Sequence, residues 1–62
     1  MTINERHNVI IKELDSKGSV SVTELSTLLN VSEVTIRKDL TLLEENKLLY
    51  RAHGKAIKIS PY

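Results

Sequence analysis

Apolar positions along this chain recur at two periods, and the change from one to the other marks out its elements. Ile10, Ile11 and Leu14, with Val9 beside them, share one face of a helix. Thr2-Ile3-Asn4-Glu5 has capping-box spacing at its start, with Asn4 as an alternative cap, and Gly18 offers a positive-φ stop, so helix 1 is expected over about 3–16. Ser19-Val20-Ser21-Val22 alternates polar and apolar, predicting a short strand at 20–22. Thr23 can cap a second helix, about 23–29, that turns Leu25, Leu28 and Leu29 inward. Asn30 tolerates the left-handed region that a tight turn needs, and Val31 would plug that turn into the core. Ser32 caps a third helix, about 33–46, whose Ile36, Leu40 and Leu43 share a face while Val34, Lys38, Thr41 and Glu45 point away. The period then returns to two. Leu48–Ala52 and Ala56–Ile59 read as strands flanking His53-Gly54-Lys55, a hairpin over about 48–59, and Ser60-Pro61-Tyr62 reads as an exit from the fold.

Two short helices joined by a polar turn between Leu25 and Leu40 form a helix-turn-helix, and a hairpin following one is a wing. The expected fold is therefore mainly α with a small β-hairpin: a winged helix-turn-helix of three helices and a two- to three-stranded antiparallel sheet. At 62 residues it is one domain, too small to enclose a catalytic pocket. With two tyrosines and no Phe or Trp its core is aliphatic. The chain has no cysteine, which removes disulfides and thiolate chemistry, and its two histidines are too few for a metal cluster. No signal-peptide pattern or membrane-length apolar run is present, so a cytoplasmic protein is expected, with no cofactor and no enzymatic activity.

The net charge of +1 hides a division along the chain. Residues 1–45 carry five basic against eight acidic groups, a net of −3, whereas 46–62 carry Lys47, Arg51, Lys55 and Lys58 and no acid, a net of +4. On helix 3, Ser32, Thr35, Arg37 and Lys38 occupy the first turns, where short polar and basic side chains can reach base edges in a major groove. On the wing, Arg51, His53 and Lys55 are expected to hold phosphate or enter a minor groove. Ser32 is equally explained as a cap, and the charged wing residues as edge-strand protection. Arg6 is read either as a phosphate contact or as a partner of Asp39, which is expected to pair with Arg6 or Arg51. His7 has no assigned role.

Residue by residue the chain resembles the N-terminal domain of DeoR-type bacterial transcriptional regulators. The resemblance runs through Arg6 with Ile10 and Leu14, Val20 to Leu29, Val31-Ser32-Glu33-Val34-Thr35-Ile36-Arg37-Lys38-Asp39-Leu40, Leu48-Leu49 and Arg51-Ala52-His53-Gly54-Lys55-Ala56. It implies a winged helix that binds a double-stranded DNA operator, usually in a repressor of sugar-utilisation genes in the bacterial cytoplasm, at the nucleoid. It further implies a larger C-terminal domain, not among these residues, that forms a homo-oligomer and binds a sugar phosphate, so that this chain is the N-terminal piece of a longer regulator. Two departures stand out: Lys47 replaces the glycine that usually ends helix 3, and Lys55 the second glycine of the wing. Both are expected to lose backbone freedom, so that either Asn46 takes the strained position or the local turns differ from the family's. The rival function is a protein–protein docking module, for which Val34 and Leu42 are the apolar candidates on helix 3.

Overall fold

The computed structural model describes residues 1–59, so Ser60-Pro61-Tyr62 lies outside the described residues. In chain order the elements are α1 (Ile3–Lys17), β1 (Ser19–Ser21), α2 (Val22–Leu29), α3 (Glu33–Glu45), β2 (Leu49–Ala52) and β3 (Lys55–Lys58). The strands form one antiparallel sheet in the order β1-β3-β2, with Val20 opposite Ala56 and Arg51 opposite Ala56 from the other side. This is the winged helix-turn-helix that the periodicity predicts. No described helix is long and apolar enough to cross a membrane.

Each helix starts on a hydroxyl. Thr2 closes a reciprocal capping box with Glu5, whose carboxylate accepts from the Thr2 N–H at 2.8 Å. The same bond holds the Glu5 pKa below its ordinary value. Helix α2 begins earlier than expected: Ser21 is its cap, in a second capping box with Glu24, and Thr23 lies inside the helix. Val22 is thereby the first residue of α2, not the last of β1, while its N–H still donates to the Gly54 carbonyl of the wing at 2.8 Å. That shift also rotates the buried face. Val22, Leu25 and Leu29 line the interior, and Leu28, expected inside, is 54% exposed because it lies a further 100° or so around a two-turn helix.

The core is built from Ile10 and Leu14 of α1, Val20, Val22 and Leu25, then Ile36, Leu40 and Leu43 of α3, closed by Leu49 and Ala56 of the wing. Ile11, Leu29 and Val31 pack against it, so Val31 does plug the turn. Asn30 adopts the left-handed conformation at φ 55°, ψ 46°, and the Ser26 hydroxyl donates to the Val31 carbonyl at 2.7 Å, fixing the turn between α2 and α3.

The two turns that lack the expected glycines resolve differently. After α3, Asn46 at φ −85° does not take the strained position expected of it; Lys47 holds it itself at φ 61°. The Leu48 N–H donates to the Leu43 carbonyl and the Lys47 N–H to that of Glu44, the paired bonds of a Schellman motif with Lys47 in the position that glycine favours. In the wing, the loop is only His53-Gly54, at φ 46° and 75°, as a two-residue hairpin turn with both central residues left-handed requires. Lys55 pairs with Ala52 inside β3, so it carries no such strain and His53 carries it instead.

Candidate nucleic-acid interface

Helix α3 is held against the rest of the molecule by its buried flank and leaves the opposite side to solvent. Its anchor is Asp39, 2% exposed, which receives the Arg6 guanidinium through two donors, Nε to Oδ2 and Nη2 to Oδ1 at 2.9 Å. His7 Nε2 lies 3.2 Å from the same Oδ1. Burial pushes the Asp39 pKa up, but hydrogen bonds from Arg6 and His7 and their charges outweigh it, and the net displacement is below the ordinary carboxylate value. The same bond raises Arg6. Arg6 is thus engaged internally, clamping α1 to α3, the Asp39 pairing that was one of the two roles considered for it. His7 acquires a structural part that spacing alone could not indicate, since its partner lies 32 residues away in sequence.

At the helix start, the Ser32 hydroxyl accepts from the Thr35 N–H at 3.1 Å and lies 3.0 Å from the Thr35 hydroxyl, so the structure brings this pair together as a cap. Thr35 is half-buried, less exposed than its neighbours Arg37 and Lys38. Along one flank of α3 runs a continuous polar rail. Thr23 of α2 donates to Glu33 Oε2 at 3.1 Å, and Arg37 Nη2 donates to Glu33 Oε1 at 3.1 Å. One turn on, the Thr41 hydroxyl donates to the Arg37 carbonyl at 2.9 Å and accepts from Arg51 Nη1 at 2.7 Å. The Arg51 backbone N–H in turn donates to Glu44 at 3.1 Å, covering a bond on the open edge of β2. Arg37 and Arg51, 14 residues apart in sequence, therefore share one surface through Thr41.

Electrostatics in space differ from electrostatics along the chain. Lys58, which has no acid near it in sequence, pairs with Asp15 of α1 at 3.6 Å, and Glu44 reaches the wing from α3. Among the described residues, Lys38, Lys47, Arg51 and Lys55 form no salt bridge, whereas Arg37 is paired with Glu33. His53 sits exposed at the hairpin tip and Lys55 exposed just after it. Val34 and Leu42 are exposed at 57% and 43%, but Lys38 falls between them on the same stripe and divides the apolar surface. Sequence reasoning missed Thr23, Glu33, Thr41 and Glu44. Only the Glu33–Arg37 pair carried a signal, its spacing of four residues on a helix.

Residues 6–61 match the model of the DeoR-like helix-turn-helix domain. The chain is 47% identical over 97% of its length to an uncharacterized HTH-type transcriptional regulator, FruR, of Bacillus subtilis, and covers 24% of that protein. It is 44% identical over 95% of its length to a putative galactitol utilization operon repressor of Escherichia coli K12, covering 54% of it. It is 47% identical over 82% of its length to a glycerol-3-phosphate regulon repressor of Haemophilus influenzae, covering 20% of it. These three relatives are named as transcriptional regulators or repressors and none as an enzyme. The chain thus spans between a fifth and about half of their lengths. No solved structure matches it.

Proposed function

The chain belongs to the DeoR-like helix-turn-helix domain family, and from that premise we propose that it reads a double-stranded DNA operator, with α3 in the major groove and the wing on the adjacent backbone or minor groove. The observation that carries this reading is the link from α3 to the wing through Thr41, which joins Arg37 to Arg51, with the exposed side chains of Lys38, Arg51 and Lys55 in no salt bridge among the described residues. Exposed bases left unneutralised attract phosphates and release counterions on binding. In this reading Arg37 and Lys38 approach base edges, Arg37 being suited to a guanine, while Ser32 with the first turn of α3, Arg51, His53 and Lys55 hold the backbone.

The names of the galactitol and glycerol-3-phosphate relatives support placing this domain in a repressor of sugar-metabolism genes. The longer relatives leave room for a further domain that oligomerises and binds a sugar-phosphate effector. A bacterial cytoplasmic protein acting at the nucleoid is consistent with that role. The docking reading is weaker, because it needs the apolar continuity on α3 that Lys38 interrupts.

Titration of the chain with pooled random duplexes at several salt concentrations, followed by sequencing of the bound fraction, tests the proposal. With about four to six phosphates contacted, log K should fall against log salt with a slope of roughly −4 to −5. Replacing Arg37 and Lys38 together with alanine should abolish selective binding while leaving the fold intact. A flat salt response in the unaltered chain would sink the proposal.

A further inference from the structure

We propose that Glu33, held from behind by Thr23, is a specificity-determining positioning residue that keeps Arg37 for a base edge and away from phosphate. The inference rests on the reading of α3 as the groove-facing helix. Glu33 is an acid in the first turn of α3, next to the exposed bases Arg37 and Lys38, a placement that weakens attraction to DNA. Stability does not account for it, since an exposed i,i+4 pair with side chains 41% and 53% exposed contributes little. A negative charge in the first turn of a helix is favourable on its own, but that would not require the second tether.

Both oxygens of the carboxylate are engaged, Oε1 by Arg37 Nη2 and Oε2 by the Thr23 hydroxyl, each at 3.1 Å. Because Thr23 belongs to α2, the carboxylate is positioned from outside its own helix. The Arg37 side chain is therefore held in place before any ligand arrives. A guanidinium has five N–H donors, and one is committed to Glu33. The rest can serve the O6 and N7 acceptors of a guanine, which are neutral and do not contest the carboxylate. A phosphate is an anion, so it must approach Arg37 against the charge of Glu33. The result is a filter by charge: Arg37 is favoured against a base and disfavoured against the backbone.

The test compares the unaltered chain with Glu33→Gln, Thr23→Val, Arg37→Ala and the double variant of Glu33→Gln with Arg37→Ala, each measured on the duplex selected from a random pool and on random duplex. Glu33→Gln should tighten random-duplex binding by roughly three- to tenfold and steepen its salt slope by about 1, as one more phosphate contact forms. It should also flatten the preference at the base pair where Arg37→Ala flattens it. In the Arg37→Ala background Glu33→Gln should add nothing to that loss. Thr23→Val should act in the same direction to a smaller extent, and since it leaves α3 untouched it keeps the question open to test should Glu33→Gln fold poorly. An unchanged ratio of selected to random affinity in Thr23→Val or Glu33→Gln would overturn the inference. So would a change in base preference by Glu33→Gln in the Arg37→Ala background, which would make Glu33 a direct reader. Absence of salt-dependent duplex binding by the unaltered chain is a different failure, of the reading beneath.

Discussion

Lys47 holds a backbone conformation, φ 61°, in which its Cβ crowds the carbonyl oxygen, an arrangement that costs an L-residue about 1–2 kcal/mol. The strain persists because two backbone bonds, from the Lys47 and Leu48 amides to the Glu44 and Leu43 carbonyls, satisfy the end of α3. A lysine there gives up some stability and adds a positive charge beside the wing. Lys47→Gly should therefore stabilise the fold by about 1 kcal/mol, somewhat less after the greater freedom of glycine in the unfolded chain is counted. The measurement is a urea titration, read as a higher midpoint at unchanged slope. An unaltered midpoint would mean that the turn relaxes to another conformation in solution. Lys55, the other residue in place of a family glycine, sits in extended backbone opposite Ala52 and should gain nothing from the same exchange.

Between elements, the clamp of Arg6 and His7 on Asp39 sets how α1 lies against α3. Asp39 is buried and held by Arg6 and His7, so removing its charge leaves Arg6, 16% exposed, without its partner. Asp39→Asn should cost about 2–3 kcal/mol at neutral pH, at or just below the roughly 3–5 kcal/mol of breaking a buried pair outright, because an amide keeps part of the hydrogen bonding. The pH dependence follows from the direction of the shift. The Asp39 pKa in the folded chain lies below the ordinary value of 3.8, so its contribution is fully present above that value and is lost as pH falls below it through the folded pKa. Thermal melts from pH 7 to pH 2 should show the two proteins converging in the acid range. A gap independent of pH would show that the charge on Asp39 is not what stabilises the clamp.

Across the whole molecule, folding redistributes the charges. Lys55 and Lys58 stand three residues apart on one strand, yet only Lys58 is neutralised, by Asp15 across the fold on α1. In a DNA-bound complex Lys55→Ala should reduce affinity and lower the magnitude of the salt slope by about 1, whereas Lys58→Ala should leave both nearly unchanged. Equal losses from the two variants would place the DNA surface around both faces of the wing. The rail from Thr23 through Glu33, Arg37 and Thr41 to Arg51 works at the same scale, since it ties α2 and the wing to the one helix that both must orient.

The linear sequence determined the local order of this protein: the helices, from apolar spacing and from caps at Thr2 and Ser32; the turn at Asn30; the hairpin around Gly54; and the acid-free, basic character of the wing segment. These follow from interactions between residues a few positions apart, and spacing reports those directly. The capping of α2 by Ser21 in place of Thr23 was less legible, because Ser21 serves both as the last residue of β1 and as the cap, through its reciprocal bonds with Glu24. Only the tertiary structure decided which arginine Asp39 takes, that His7 joins it, that Lys58 is neutralised and Lys55 is not, and that Thr41 links Arg37 to Arg51. Apart from the Thr41–Arg37 bond within α3, those pairings join groups 10 to 43 residues apart. Charge and hydrogen-bond energies depend on distance in space, and packing of the aliphatic core sets that distance.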